Sequence, residues 1–542
     1  MDCGGRNSYM ATEHLTILDS TLRDGAQGEG ISFSVQDKIS IVKALDSLGI
    51  DLVEAGNPGS NPKDLEFFRE ASRLPLEKAR LVAFGSTRRV GVPMTADEGF
   101  RSLLDAGTET VVIFGKSWDF HVKHVLRASH AENLAMIGES CAAAVAEGRR
   151  VIYDAEHFFD GYASDPDYAM RTLAAAVEAR AECIVLCDTN GGSLPERVAE
   201  LTALVRREFS PGVEVGVHAH NDAGLAVANS LAAVRAGARH VQGCLVGFGE
   251  RCGNANLSTI IADLRLKMGL DCLAPDSLSL LFQTTRCVAE IANVVFDEGT
   301  PFVGHHAFAH KAGMHVDAVT KDPRSFEHID PAAVGNERRF LASEVGGRSV
   351  ILERIKRIDP AATKDSPLVA QVLARLKEME RLGYQFEGAD ASLELLMRKA
   401  AQKYKPFFRL GRYRTIGEQP SGDSARCAQA MVKIEVEGVE EVSAAEGNGP
   451  VHALDLALRR ALERFYPNLS DMRLTDYKVR VLDSARAAAA TVRVFIESSD
   501  AEDSWTTVGV STDIIEASWI ALVDSIEFKL IKDIERQYKV YL

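Results

Sequence analysis

The amino-acid sequence predicts a closed (β/α)8 barrel of the TIM-barrel type, followed by a mostly helical connector and a C-terminal α+β domain. Eight short β-branched runs alternate with helical patterns over about 255 residues. Apolar runs that alternate with helices are typical of a parallel sheet, and eight such units match the length of one barrel. A doubly wound open sheet built from the same units is the structural alternative.

The predicted strands recur at intervals of about 25 to 40 residues, each near a glycine, aspartate, asparagine or serine. They are LTILDST, IDLVEAGNP, ARLVAFGS, TVVIFGKS, RVIYDAEHF, CIVLCDTN, EVGVHAHND and HVQGCLVGFGE. The first crossover carries clear helix signals, with Ser34 as N-cap, Asp37 three residues later and Gly49 as the stop.

After Leu270 the pattern changes to longer helices, which include SLSLLFQTTRCVAEIANVVF and SPLVAQVLARLKEMERLGY. A polar stretch, EQPSGDSAR, has the composition of a linker. We therefore predict a flexible tail at 1–14, a barrel domain at 15–270, a helical connector or lid at 271–417, a linker at 418–426 and a C-terminal domain at 427–542.

The C-terminal domain has four alternating runs that predict antiparallel strands: MVKIEVEG, YKVRVLDS, ATVRVFIES and SWTTVGVS. Two helices, predicted from Pro450 to Arg464 and from Asp513 to Lys532, interrupt these strands. The two helices align at an offset of 64 residues, and each follows a strand. The domain is therefore predicted to contain a duplicated strand–helix unit.

Charge and composition exclude several classes of function. The 62 basic and 77 acidic residues give a net charge of −15, which argues against general attraction to nucleic acid or an anionic membrane. Nine cysteines without a CxxC pair fit neither a disulfide framework nor a zinc knuckle, and they indicate a reducing compartment. Because no apolar run reaches the ~20 residues of a membrane span, we expect a cytoplasmic protein.

Polar side chains follow several predicted barrel strands, at the end where barrels place their sites. His218 and His220 are two residues apart in strand seven, so both imidazoles lie on one face. With Asp24 after strand one and Asn254 after strand eight, they offer two nitrogens and two oxygens to a divalent ion. The alternative is a pair of histidines that only form hydrogen bonds at the barrel mouth.

Arg23 stands beside Asp24, so its guanidinium would be a fixed cation for an oxygen on which negative charge develops. The alternative is an ordinary salt bridge between these two residues. Outside the barrel, HHAFAHKAGMHVD holds four of the 14 histidines within 11 residues. This density indicates a lid that carries a base, a second metal site from His305, His310 and His315, or a chance surface cluster.

Three motifs occur in the order DSTLRDGAQ, VHAHND and GFGERCGNANL. With them the sequence resembles the barrel metallolyase superfamily that starts with Asp-x-Thr-Leu-Arg-Asp-Gly, and specifically its Claisen-condensing isopropylmalate, homocitrate and citramalate synthases. The resemblance covers nearly the whole chain, including HAFAHKAGMHVDA in the connector. The stretches FGKSWDFHV, YDAEHFFDGY and SFEHIDPAAVGNERRF are most similar to citramalate synthases of the longer, second type.

The resemblance implies a role for each matching residue. The four candidate ligands would bind a divalent ion, Mg²⁺ or Mn²⁺, with Zn²⁺ as the alternative. Arg23 would polarise the 2-oxo acid and Thr189 would help hold its carboxylate. Glu156 and His315 would transfer protons. The family often has an assisting tyrosine after the lid histidine, whereas the matching stretch here has Phe326, so a third acid/base group stays unassigned.

The implied reaction condenses acetyl-CoA with pyruvate and hydrolyses the thioester, giving citramalate and CoA for isoleucine synthesis. Isopropylmalate or homocitrate synthase is the nearest alternative, because a methyl-sized difference between substrates is worth only ~1 to 3 kcal/mol. An acyl-CoA lyase of the superfamily would carry a Gly-Cys-Pro loop, where this chain has Cys252 in Glu-Arg-Cys-Gly-Asn. A non-catalytic metal-binding regulator is the third alternative, and Arg23 and Glu156 argue against it.

The C-terminal domain is predicted to be regulatory, because it follows a complete barrel and carries no cluster of catalytic residue types. An oligomerisation module is the alternative, and the two roles are compatible in a homodimer. In the resembled family this domain binds the end-product amino acid, which here would be isoleucine. The helix starts near Gly447 to Gly449 and Ser511 to Asp513 have backbone donors that could receive its carboxylate.

Overall fold

The computed structural model describes residues 14–341, 347–363, 365–417, 428–482, 490–500 and 502–540. The predicted linker at 418–426 and all but the last residue of the predicted tail lie outside these ranges. The chain divides into two compact units. The barrel unit extends to Phe308 and includes Ile329–Arg338, and the C-terminal unit contains Ala309–His328 and the chain from Arg339 onward.

Eight parallel strands close into a barrel, as the sequence predicts. They are β1 (Thr16–Asp19), β2 (Leu52–Gly56), β3 (Arg80–Ser86), β4 (Thr110–Lys116), β5 (Arg150–Glu156), β6 (Cys183–Asp188), β7 (Glu214–Ala219) and β8 (His240–Gly243). Strand β1 pairs in parallel with β2 on one side and with β8 on the other, where Thr16 lies opposite His240. This closing pair excludes the open doubly wound sheet.

Helices follow the strands in the barrel unit. They are α1 (Val35–Leu48), α2 (Pro62–Ala71), α3 (Glu98–Asp105), α4 (Asp119–His121), α5 (His130–Ala146), α6 (Phe158–Ser164), α7 (Pro166–Glu178), α8 (Pro195–Phe209), α9 (Ala226–Arg235), α10 (Leu257–Leu266) and α11 (Leu281–Ile291). Helix α1 begins and ends at the predicted signals, with a capping box between Ser34 and Asp37 and with Gly49 at φ 91°. Local sequence therefore determines both of its ends.

The barrel interior is apolar in its middle and polar towards the carboxyl ends of the strands. The apolar part is a buried cluster of Leu18, Val82, Phe84, Val112, Ile152, Cys183, Val185 and Cys187. In the same alternating register, polar side chains are buried nearer the carboxyl ends: Ser20, Glu54, Asp154, His218 and Gln242. Because barrels place their sites at this end, the polar layer marks where chemistry is expected.

The region after the barrel is mostly helical, as predicted. In the C-terminal unit it contains β9 (Ala309–His310), α12 (Gly313–Lys321), β10 (Arg339–Phe340), α13 (Gly347–Ile358), α14 (Pro367–Arg381) and α15 (Asp390–Ala400). The short strands β9 and β10 pair in parallel. A buried apolar cluster that includes Ile351, Val369, Leu376 and Leu393 holds the helices together.

Two three-stranded antiparallel sheets, each followed by a helix, complete the C-terminal unit. The first half is β11 (Arg409–Gly417), β12 (Ala428–Val436), β13 (Val439–Gly447) and α16 (Pro450–Glu463). The second half is β14 (Arg473–Val481), β15 (Val492–Ser499), β16 (Ser504–Ser511) and α17 (Ile514–Val540). Corresponding elements keep the predicted offset of 64 residues, so the duplication comprises three strands and a helix rather than one of each.

The sequence does not predict β11 and β13, and β11 lies inside the range assigned to the connector. Strand β11 pairs along its length with β12, so the first sheet begins before the predicted linker. Its sequence RLGRYRTIG is largely exposed and places arginines at several positions. A strand without an apolar face has no alternation of apolar and polar residues. The hydrophobic pattern of the sequence therefore does not reveal β11.

Seven cysteines lie in the described ranges, and all are free thiols. Among the helices of the described residues, none is both long enough and apolar enough to cross a membrane.

Candidate active site

Buried Asp19 holds the loop after β1 against the loop after β8. Its carboxylate accepts hydrogen bonds from the backbone N–H of Thr21 at 3.0 Å and of Leu245 at 3.1 Å. Burial raises the pKa of Asp19 to about 6 in spite of these bonds. The contact joins the first strand of the barrel to the last and orients the next residues of the loop, Arg23 and Asp24.

His218, His220 and Asp24 form a cluster of ligating atoms that lie within 4.8 Å of one another. His218 Nε2 lies 3.3 Å from His220 Nε2 and 3.6 Å from Asp24 Oδ2. Asn254 pairs with His220 in an isolated β-bridge and donates from Nδ2 to Asp24 Oδ1 at 3.0 Å. The structure therefore brings together all four residues predicted as metal ligands.

Glycine in the loop after β8 makes room for Asn254. A Cβ atom at Gly249 would collide with the Asn254 amide nitrogen. Gly253, directly before Asn254, has φ +85°, a conformation that side chains other than glycine rarely adopt. The motif GFGERCGN thus needs its glycines to place the asparagine in the cluster.

The four side chains have the chemistry of a divalent-ion site. Asn254 Oδ1 is buried and has no hydrogen-bond partner among the described residues. Burial lowers the pKa of His220 to about 4. Burial raises the pKa of Asp24, but the charge of Arg23 and the hydrogen bond from Asn254 help hold it well below its ordinary value. Near neutral pH the cluster offers a carboxylate, imidazole nitrogens and an amide oxygen, a donor set that fits a divalent ion.

The Arg23 guanidinium is fixed from three sides. Its Nε donates to Glu54 Oε2 at 2.6 Å, its Nη1 donates to Asp24 Oδ2 at 2.9 Å, and its Cζ lies 3.6 Å from the Phe84 ring centroid. The salt bridge between Arg23 and Asp24 is therefore present, and the guanidinium also lines a cavity. Burial lowers the pKa of Arg23, but Glu54 and Asp24 raise it above its ordinary value, so the cation is permanent.

The cavity at the carboxyl ends of the strands has a volume of about 280 Å³. Its lining includes six of the predicted site residues: Arg23, Asp24, Glu156, Thr189, His218 and His220. Glu156 forms an ion pair with Lys116, and Thr189 Oγ1 accepts a hydrogen bond from His157 N at 2.9 Å. The stacked rings of Phe84 and Phe114, with centroids 5.0 Å apart, form an apolar wall.

The remaining predicted residue, His315, lies in the C-terminal unit on α12. Its ring stacks on Phe326, with centroids 4.1 Å apart, so the aromatic residue in the place of the family's tyrosine contacts this histidine. In the same segment, His310 Nε2 lies 3.0 Å from Glu327 Oε1. Among the described residues, the groups of side chains able to hold a metal ion include none of His305, His310 and His315.

Three buried polar residues, Glu54, Asp154 and Gln242, are not predicted from the sequence. Glu54 holds Arg23, and Gln242 Nε2 donates to Asp154 Oδ1 at 3.0 Å. Each lies inside an otherwise apolar strand run: IDLVEAGNP, RVIYDAEHF and HVQGCLVGFGE. Charged and amide residues are seldom fully buried, so their position inside such runs is the signal that could have found them.

Three family models match successive parts of the chain. The model described as HMGL-like matches residues 14–285, the homocitrate synthase post-HMGL domain-like model matches 302–383, and the LeuA allosteric (dimerisation) domain model matches 387–530.

Curated relatives match over nearly the full length. The (R)-citramalate synthase of Synechocystis sp. is 51% identical, covering 96% of this chain and 97% of that protein. The (R)-citramalate synthase of Geobacter sulfurreducens is 48% identical, covering 96% and 98%. A 2-isopropylmalate synthase of Pyrococcus furiosus is only 30% identical, covering 93% and 97%. The chain belongs to the (R)-citramalate synthase family.

Proposed function

We propose that this chain condenses acetyl-CoA with pyruvate and hydrolyses the thioester, releasing (R)-citramalate and CoA for isoleucine biosynthesis. The observation that carries the proposal is one barrel cavity in which a cluster of metal-ligating atoms, a permanently charged arginine and a second carboxylate stand together. The names of the full-length relatives supply the product, and the resemblance of the motifs implies the two substrates.

Asp24, His218, His220 and Asn254 would hold a divalent ion, for which we propose Mg²⁺ or Mn²⁺, with Zn²⁺ as the alternative. When bound, such an ion supplies polarisation of the 2-oxo acid carbonyl and neutralises the substrate carboxylate. The two oxygen ligands favour a hard ion and the two imidazoles accept a borderline one.

The protein's own groups bind the substrate and move the protons. His315 is the proposed base that removes a proton from the acetyl-CoA methyl group, because the ordinary pKa of histidine suits this work near neutral pH. The enolate carbon then bonds to C2 of pyruvate, and the carbonyl oxygen becomes an alkoxide that Arg23 stabilises. The proton that His315 took up passes to this oxygen by way of Glu156. Thr189 holds the substrate carboxylate, and water hydrolyses the thioester to release CoA.

The apolar wall of the cavity supports a small 2-oxo acid. Phe84 also stacks on the Arg23 guanidinium, so the ring stands directly beside the group proposed to contact the carbonyl oxygen. Each methyl-sized addition to the substrate would press on this wall, at ~1 to 3 kcal/mol per group. Pyruvate, whose side chain is one methyl group, fits this arrangement best.

The test is a thiol-release assay with acetyl-CoA, MgCl₂ or MnCl₂, and pyruvate, 2-oxobutyrate, 2-oxoisovalerate or 2-oxoglutarate. Pyruvate should give the highest kcat/KM, and Phe84→Leu should narrow its advantage over 2-oxobutyrate by about tenfold. A kcat/KM about tenfold higher for 2-oxoisovalerate or 2-oxoglutarate would contradict the substrate assignment and leave a Claisen-condensing synthase.

We propose further that the C-terminal domain regulates the barrel and assembles a homodimer. Its match to the LeuA allosteric (dimerisation) domain supports both roles. Isoleucine, the end product of the proposed pathway, is the proposed effector, and a coupling of about 1 to 3 kcal/mol between the two sites would suffice for strong inhibition.

The start of α16 is the better of the two candidate effector positions. Helix α16 follows Gly449 without a side-chain cap, whereas Asp513 already caps α17 by accepting from Ile515 N at 2.7 Å. A cavity of about 400 Å³ adjoins the first turn of α16, with Val451, His452, Leu456 and Tyr477 in its lining. Backbone N–H groups of an uncapped helix start, beside a cavity that Val451, Leu456 and Leu474 line in part, suit the carboxylate and side chain of a small apolar amino acid.

A further inference from the structure

The side-chain amide of Gln242 contacts three other buried side chains inside the barrel. Its Oε1 lies 2.9 Å from His218 Nδ1, and its Nε2 lies 3.0 Å from Asp154 Oδ1 and 3.4 Å from His240 Nε2. His218 and Gln242 are directly paired residues of β7 and β8. All four side chains are buried, so these contacts replace water as hydrogen-bond partners.

The partners of Gln242 determine which way its amide points. An amide has one acceptor end and one end with two donors. The Nε2 end faces Asp154 Oδ1 and the Nε2 atom of His240, whose ring is neutral because burial lowers its pKa to about 3. Burial also raises the pKa of Asp154 well above its ordinary value, and Oδ1 accepts from the amide whether or not the other carboxyl oxygen carries a proton. The Nδ1 atom of His240 lies on the side of the Glu214 carboxylate, with Oε1 4.0 Å away, and this negative charge favours the ring proton at Nδ1 and the acceptor at Nε2. The reverse orientation would direct the amide carbonyl at the lone pair of His240 Nε2.

This orientation leaves Oε1 as the partner of His218 and so determines where the imidazole carries its proton. Of the two neutral forms of the imidazole, an acceptor at Nδ1 selects the Nδ1–H tautomer, which leaves a lone pair on Nε2. That lone pair points into the cluster, towards His220 Nε2 at 3.3 Å and Asp24 Oδ2 at 3.6 Å. The other tautomer would place an N–H where a ligand atom is needed.

We propose that Gln242 is a positioning residue for the metal site: its carbonyl oxygen selects the ligating tautomer of His218, and Asp154 and His240 fix the orientation of its amide. The inference rests on the metal site proposed above and extends it to a residue that contacts one of the ligands but would not contact the ion. Partners of this kind orient metal-ligating histidines, and their loss typically weakens metal affinity by about 10- to 100-fold.

The test is a titration of the metal-free full-length protein with MnCl₂, in which electron paramagnetic resonance measures free Mn²⁺. Gln242→Met, of similar length but without an acceptor, should weaken binding by about 10- to 100-fold. Gln242→Glu keeps an acceptor for Nδ1–H, and because burial raises the pKa of Asp154, a proton shared between the two carboxyl groups can replace the amide N–H. Binding by this variant should therefore stay within about threefold of the unsubstituted protein. His240→Leu leaves Gln242 in place but removes one orienting contact, and should weaken binding by about two- to fivefold.

The matched control is Asn336→Leu, which also removes a buried amide that donates two hydrogen bonds, here to the carbonyls of Phe302 and Gly304 at 2.9 Å. It should lower thermal stability and leave the Mn²⁺ affinity unchanged. Unchanged affinity in Gln242→Met, an equal loss in Gln242→Glu, or an equal loss in the control would each overturn the proposal. Should Gln242→Met not fold, unchanged affinity in His240→Leu or a large loss in Gln242→Glu would overturn it instead. Absence of Mn²⁺ binding by the unsubstituted protein would refute the metal site itself.

Discussion

Arg23→Lys tests whether a fixed guanidinium stabilises charge that develops during the reaction. Arg23 holds Glu54 at 2.6 Å and Asp24 at 2.9 Å while its plane covers the Phe84 ring at 3.6 Å. A lysine ammonium keeps the positive charge but is a single point with three donors, so it cannot occupy both hydrogen-bonding positions and stack as well. The substitution therefore keeps the positive charge but removes the fixed position of the guanidinium donors.

The expected loss follows from the loss of one positioned donor. Removing such a donor from a developing oxyanion costs about 2.7 to 4 kcal/mol. At about 1.36 kcal/mol per factor of ten, kcat should fall by about 100- to 1000-fold. Because the charge that lowers the pKa of Asp24 is retained, Mn²⁺ affinity should change by less than about threefold.

The assay combines the kcat of thiol release at saturating pyruvate with the Mn²⁺ titration on the same protein. Arg265→Lys is the matched control, because Arg265 forms an ion pair with Asp271 at 2.9 Å in the barrel unit. Its hydrogen-bond partners among the described residues, Leu270 and Asp271, do not line the cavity. A fall in kcat below about fivefold, or a fall accompanied by an equal loss of bound Mn²⁺, would refute the reasoning.

Three further outcomes test the remaining roles. Excess EDTA should abolish thiol release. MnCl₂ should restore thiol release in the unsubstituted protein but not in His218→Ala. Undiminished turnover in EDTA would be incompatible with the metal site. His315→Ala should lower kcat by ~100-fold or more and leave Mn²⁺ binding intact, and a fall below about fivefold would assign proton abstraction to another group. Val451→Phe should fill the cavity beside α16 and abolish inhibition in an isoleucine titration. Ile515→Phe, at the equivalent position 64 residues later, should retain inhibition. An equal loss of inhibition in both variants would contradict the placement of the effector.

The barrel could be predicted because its signals are local. Each predicted strand is followed in the sequence by its own helix. The signals that begin and end such a helix, as the capping box and the glycine stop of α1 do, lie next to that helix in the sequence. The four candidate metal ligands could be predicted for a related reason. They come from three strands or the loops after them, β1, β7 and β8. Because the carboxyl ends of all strands in a parallel barrel meet at one rim, fold class alone brings the four residues together.

The residues that the sequence does not reveal depend on partners far away in the chain. Gln242 contacts Asp154 across 88 residues, and neither strand run indicates which side chain will face the other. Glu54 also depends on a distant partner, because its role is to hold Arg23, which lies in a different βα unit. Strand β11 is missed for another reason, since pairing with β12 stabilises it while its own surface stays largely exposed.

The separation of the site residues along the chain has a consequence for how the protein is made. Asp24 and Asn254, in contact at 3.0 Å, are 230 residues apart, and Asp19 and Leu245 are 226 apart. A growing chain therefore contains no complete cluster until the segment after β8 has been synthesised and has docked against β1. Tight divalent-ion binding should appear only at this last step of barrel folding. Because the ion would bind only the closed barrel, it would shift the equilibrium towards closed molecules and away from those whose first and last strands have separated.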